Sequence, residues 1–222
     1  MSTIAKTAVF STSIGKKLVM ALTGIFLITF LIVHLSGNLL LLKGDNGEAF
    51  NAYARFMETS PLIRILELIL AVGFLFHIVM GIRLALENRR ARPIRYQVNK
   101  ATENSTFYSR FMVWSGITVL FFLLLHLWNF FFQHRFLGLG AKETMYETVV
   151  RTFKEPIYSI VYIIAMVFLA FHLNHGFQSA LQSSGLQINT NLGKRIKSIG
   201  MLFSIVICAG FTAIPLYFLI FT

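Results

Sequence analysis

Five stretches of the chain, 18–42, 62–86, 111–133, 156–181 and 199–221, are apolar almost throughout, and the charged residues collect between them. A hydrocarbon layer about 30 Å thick takes about 20 apolar residues of α-helix to cross. Each run therefore predicts a membrane-spanning helix. The second is the least clean, with Arg64, Glu67 and Arg83 near its ends, where long side chains can snorkel to the interface. The run after Lys17 is uncharged for 25 residues, longer than the core of about 7–15 residues in a signal peptide, and predicts a retained helix. Within 44–60, Phe50, Tyr53, Phe56 and Met57 recur at roughly helical spacing and predict a helix lying along the interface. Pro215 is expected to kink the fifth span. No internal repeat or low-complexity segment stands out. The expected architecture is one domain over 1–222, an all-α integral membrane bundle of five transmembrane helices.

Composition agrees with a lipid setting. Hydrophobic residues make up 56% of the 222 and charged residues only 13%, with a mean hydropathy of +0.69, too apolar for an ordinary soluble domain. The single cysteine, Cys208, excludes a disulfide scaffold, a Cys-ligated iron-sulfur cluster and the C-x-x-C-H attachment of haem. A net charge of +11 raises nucleic acid as a partner, but its placement argues for orientation instead. With the N-terminus in the cytoplasm, 13 bases fall on that side against Glu87 and Glu103, while the other side holds 7 bases and 7 acids. This is the positive-inside pattern, so the expected topology is N-terminus cytoplasmic, C-terminus outside, with no nucleic-acid partner. The polar, basic segment 87–110, with Pro93 and Tyr96, is expected to dock a partner or anionic lipid on the cytoplasmic side.

Histidines carry the chemistry. His34 lies 16 residues and His126 15 residues in from the cytoplasmic ends of spans one and three; His77 and His172 lie 15 and 16 residues in from the outer ends of spans two and four. At about 1.5 Å per residue the four fall into two pairs, at levels about 15 Å apart along the membrane normal. Intramembrane ionisable groups are costly and mark function. Zinc needs a third or fourth Cys, His, Asp or Glu at the same level, and the apolar interiors offer none, whereas haem iron takes two axial imidazoles and then transfers electrons without binding oxygen. Two haem b groups are therefore expected, with His77 and His172 on one iron and His34 and His126 on the other. His175 competes with His172, but His172 repeats the spacing of His77 and Gly81 through Gly176, one turn on. Those glycines leave room for a macrocycle; after His126 Phe130 stands there instead. Arg83 is placed to meet a haem propionate, with Trp114 and Gln178 as weaker candidates, and His134 is expected to be solvated or snorkelling at the interface.

The stretch GKKLVMALTGIFLITFLIVHLSGNLLL, the H-x-x-x-G pairs in HIVMGIR and FHLNHGFQSALQSSG, and histidines in the first four of five spans together resemble the single-chain, two-haem cytochrome b subunit of bacterial succinate dehydrogenase and fumarate reductase. The resemblance implies a multi-pass anchor in the bacterial cytoplasmic membrane. It implies a flavoprotein subunit and an iron-sulfur subunit on the cytoplasmic face, with menaquinone as the membrane partner near the outer haem. It also implies that His77 and His172 hold the haem nearer the cytoplasm. No catalytic residue for dicarboxylate chemistry is expected here, since the chain has neither a Gly-rich dinucleotide fingerprint nor a cysteine cluster. For the quinone the outer side offers Glu48, Glu58, Asn129 and His134, and the resemblance favours an acid between spans one and two, which is Glu58. Two rivals are a di-haem cytochrome b of a nitrate reductase, formate dehydrogenase or hydrogenase, and a haem-free transporter using histidines for protons or metal.

Overall fold

A computed structural model describes residues 12–90, 107–183, 185 and 190–221 of the chain. The described residues are helical, with no strand among them. Helix α1, Ser13–Asn38, is capped by Thr12, whose side chain accepts from the Gly15 amide at 3.0 Å, and it tightens into a 3₁₀ turn, Leu39–Leu42. Asp45 then takes the amides of Gly47 and Ala49, both at 3.1 Å, and so starts α2, Glu48–Thr59. Pro61 opens α3, Pro61–Arg90, where its missing N–H is not needed. Helix α4 covers Phe107–His126 and runs on through a π-helical turn, Leu127–Phe132, into Gln133–Arg135. A capping box between Thr144 and Glu147 nucleates α5, Met145–Lys154. Pro156 opens α6, Pro156–Ser183, and α7 spans Asn191–Phe221.

Five of these helices are long and apolar enough to cross a membrane: Ile14–Leu42, Pro61–Arg90, Phe111–Arg135, Pro156–Ser183 and Asn191–Phe221. Each of the five apolar runs thus yields its span. The helices outrun the runs because intrahelical hydrogen bonding continues past the first charge. The amphipathic helix expected in 44–60 is α2, with Phe50 buried and Phe56 turned outward, whereas α5 has no counterpart among the expected elements. Pro215 sits buried inside a continuous α7. The segment expected to form a loop from 87 is still helical to Arg90 and helical again from Phe107; Pro93 and Tyr96 lie outside the described residues.

Helix α6 is the hub, packing against α1, α4 and α7, while α3 packs on α1 and α2. One core cluster joins Leu35 of α1, Ala165, Leu169 and Leu173 of α6, and Ile207 and Cys208 of α7. A second, around Phe50, Phe153, Tyr162 and Phe218, lies where α2 and α5 cap one end of the bundle. There the Tyr146 amide donates to Asn51 Oδ1 at 3.0 Å, and the Tyr146 ring occupies the place a side chain at Gly47 (φ 83°) would take. At the opposite end Lys16 Nζ donates to both oxygens of Glu87 at 2.7 Å, tying α1 to α3. The outward faces of the spans are apolar, with Leu68 67% and Phe121 68% exposed, as a surface solvated by lipid tails requires.

Candidate functional site

Histidine is a poor resident of an apolar helix unless something uses it, and the bundle brings four of them together two by two. The rings of His34 in α1 and His126 in α4 lie 5.7 Å apart, centre to centre and nearly perpendicular at 87°. Those of His77 in α3 and His172 in α6 lie 6.3 Å apart at 75°. The pairing is the one expected from depth, and it is His172, not His175, that faces His77. The spacing between levels can also be read. A side chain at Gly24 would lie 3.6 Å from His77 Cε1, and Gly24 and His34 stand ten residues apart on α1, which is about 15 Å of helix.

The surroundings of the two pairs differ. Around the first, Phe30 stacks on His34 at 5.1 Å and Phe211 stands 5.7 Å from it, while Phe122, Phe130 and Tyr162 surround His126 at 5.8, 5.3 and 6.2 Å. The Asn38 amide donates to the His34 carbonyl at 2.7 Å and lies 3.3 Å from Nδ1. Around the second, Thr23 Oγ1 lies 3.2 Å from His77 Nδ1. His126 Nδ1 and His172 Nδ1 are buried with no hydrogen-bond partner.

These residues fit haem. Two imidazoles on opposite sides of one metal, with bonds of about 2 Å and ring centres about 1 Å behind the nitrogens, stand about 6 Å apart, the spacing of both pairs. Among the described residues no three His, Cys, Asp or Glu converge as a zinc site demands. The paired histidines come from α1 with α4 and from α3 with α6, and neither couple is among the closely packed helices, so a flat group can lie between them. Buried orphan nitrogens are expensive, and a ligand that fixes the ring gives them a reason.

The other candidates are placed as follows. A side chain at Gly176 would meet nothing within 4 Å, whereas one at Gly81 would meet Met20 of α1 at 3.4 Å; Gly81 thus also serves helix packing. Arg83 Nε donates to Glu87 Oε1 at 2.9 Å and the side chain is half exposed. Trp114 is 67% exposed, and Gln178 donates to Asn174 at 2.9 Å. Asn129 is buried and donates to the Tyr162 hydroxyl at 3.3 Å. Glu58 lies at the exposed end of α2, its carbonyl accepting from Arg64, in surroundings unlike those of Asn129. Glu48 is exposed in the first turn of α2. His134 corrects its expectation: its Nε2 is buried without a partner and its ring is tucked under Gly140, because the chain folds back over it in a 3₁₀ turn, Leu139–Ala141. The residues that spacing did not reveal are Thr23, Gly24, Gly116 and Tyr162, whose signal is their position ten or eleven residues from a histidine.

Comparison with known proteins adds the lineage. No solved structure matches the chain. The succinate dehydrogenase cytochrome b558 subunit of Bacillus subtilis (strain 168) is 26% identical over 167 residues, covering 72% of this chain and 73% of that protein. Residues 17–92 and 86–213 match the succinate dehydrogenase/fumarate reductase transmembrane subunit family. The match sets aside the anchors of nitrate reductase, formate dehydrogenase and hydrogenase, and the transporter. With four histidines facing in two pairs inside five apolar helices, the chain belongs to the transmembrane subunits of succinate dehydrogenase and fumarate reductase.

Proposed function

We propose that this subunit anchors a flavoprotein and an iron-sulfur partner at the cytoplasmic face of a bacterial inner membrane and passes electrons between them and menaquinone through two haem b groups. The observation that supports it best is the pair of facing histidine couples. Haem b held by two imidazoles would supply one-electron transfer without binding oxygen. The protein supplies the rest. His77 and His172 would hold one iron and His34 and His126 the other, and the aromatic wall of Phe30, Phe122 and Phe211 would keep water from the second. Arg83, with Nη groups beyond the Nε that Glu87 engages, would serve as a cation for a propionate, and Gly81 and Gly176 would leave room for the macrocycle. Quinone reduction needs hydrogen-bonding groups at the head group. Asn129, three residues past His126 and bonded to Tyr162, is our candidate for that role, with Glu58 nearer the surface a second.

The test is a reduced-minus-oxidised spectrum and haem-to-protein ratio of the purified complex, alongside His→Ala changes at 34, 77, 126 and 172. Two low-spin haems are expected, one disturbed by His77→Ala or His172→Ala and the other by His34→Ala or His126→Ala. Colourless wild-type protein, or one haem indifferent to either pair, would sink the reading.

A further inference from the structure

Spans α1 and α4 carry the same short pattern: Thr23-Gly24-Ile25 stands ahead of His34 and Ser115-Gly116-Ile117 ahead of His126, each with the glycine ten residues before the histidine. The similarity is confined to four positions, too few to register as an internal repeat. The structure gives the pattern a common geometry. A side chain built on Gly24 would lie 3.6 Å from His77 Cε1, and one built on Gly116 would lie 3.6 Å from His172 Cε1 and 3.8 Å from its Nδ1. Each ring of the His77–His172 pair therefore lies against a glycine of the neighbouring span, and in both spans the residue before that glycine carries a hydroxyl.

The hydroxyls decide which ring nitrogen is bare. Thr23 Oγ1 sits 3.0 Å from the Val19 carbonyl and 3.1 Å from that of Met20, both of which can only accept, so its single proton has a place there. Its lone pairs then face His77 Nδ1 at 3.2 Å, and a nitrogen bonded to such an acceptor carries the proton. That tautomer leaves Nε2 with a free lone pair for a metal, and a hydrogen bond from Nδ1–H makes the imidazole a stronger donor. Ser115 is 1% exposed and spends its proton in the same way, on the Met112 carbonyl at 2.9 Å. Its lone pairs are left over beside Gly116, and His172 Nδ1 is a buried nitrogen in need of an acceptor.

We infer that Thr23 and Ser115 are paired positioning residues: each accepts the Nδ1 proton of one imidazole of the His77–His172 pair and so presents Nε2 to the iron. In Thr23 the contact is already made; in Ser115 it closes when the ring of His172 is fixed by a ligand. Among the described residues no hydroxyl is bonded to His34, whose Nδ1 faces the Asn38 amide instead, so the two haems would be held by ligands of unequal basicity.

The inference rests on the bis-histidine reading, and its test separates the two. In the purified complex, Thr23→Val, Thr23→Ser and Ser115→Ala are compared with wild type by redox titration of each haem and by low-temperature electron paramagnetic resonance. Thr23→Val and Ser115→Ala should each raise the midpoint potential of the haem that His77→Ala removes and shift its low-spin signal. The other haem should be unmoved, and Thr23→Ser should keep wild-type values. Where haem content falls, the loss should be confined to that same haem. Unchanged potentials, movement in Thr23→Val alone, or equal shifts or losses in both haems would overturn the paired assignment. Failure of His77→Ala to remove any haem would instead overturn the underlying reading.

Discussion

At the scale of single residues, several polar groups inside the spans have a use that can be traced to one hydrogen bond. Thr29 and Ser36, on outward faces of α1, return their protons to the Ile25 and Ile32 carbonyls at 3.1 and 2.8 Å, as hydroxyls on lipid-facing helices do. Asn129 and Tyr162 are different, because the Asn129 amide donates to the Tyr162 hydroxyl across two helices at 3.3 Å and both are buried. Asn129→Leu should cost about 1–3 kcal/mol, since the Tyr162 hydroxyl is left without its partner. Adding Tyr162→Phe should return most of that loss, because two apolar neighbours need no hydrogen bond. Thermal unfolding of the two single variants and the double in detergent would read this out, and strictly additive losses would contradict it. The four ligand candidates were legible in the sequence because an imidazole in an apolar run is conspicuous, and depth alone paired them. Thr23 and Ser115 were not, since a hydroxyl in such a helix ordinarily bonds only its own backbone and carries no mark of a second partner.

At the scale of elements, hydropathy revealed the five spans but neither their ends nor their irregularities. The π turn Leu127–Phe132 begins one residue after His126, and its wider winding turns Asn129 and Phe130 to faces that a 3.6-residue period does not assign them. Helix α5 is short and amphipathic, so no window suited to a membrane span registers it, although its Thr144–Glu147 capping box could have been read from the chain. That helix is stapled by Glu143, which takes Arg151 Nη2 at 2.8 Å and the Thr148 hydroxyl at 2.8 Å. The Arg151 hydrogen bond, helped by Thr148, holds the Glu143 carboxyl below the usual carboxylate range. A carboxylate lowered in the folded state stabilises above its unfolded value and loses that contribution as pH falls through the lowered one. Glu143→Gln should therefore destabilise α5 at pH 7, by about 1 kcal/mol for a half-exposed partner. The gap to wild type should close as pH is brought below about 4. Proteolysis of the α5 segment against pH would show it, and a gap that persists in acid would refute the ionic account.

At the scale of the whole molecule, the two ends of the bundle are built for different neighbours. One end is closed by α2 and α5 folding over the level of His34 and His126, with Phe50, Phe153 and Phe218 beneath them. The other carries exposed Lys17, Arg89, Arg90, Lys194, Arg195 and Lys197, with Lys16 turned in on Glu87. Short helices cover the apolar core at one end; a basic face suits a soluble partner and, by the positive-inside pattern, the cytoplasm. The division of labour holds only if the capped end is outside. Because the chain has one cysteine, buried Cys208, orientation can be read chemically. In a Cys208→Ser background, Lys142→Cys lies at the capped end and Lys197→Cys at the basic end, both at exposed positions. A membrane-impermeant maleimide added to intact spheroplasts should label the first and reach the second only after permeabilisation. The reverse pattern would place the His34–His126 pair nearest the cytoplasm. Electrons from a cytoplasmic partner would then meet that pair first, and the Thr23-supported pair would become the one facing outward.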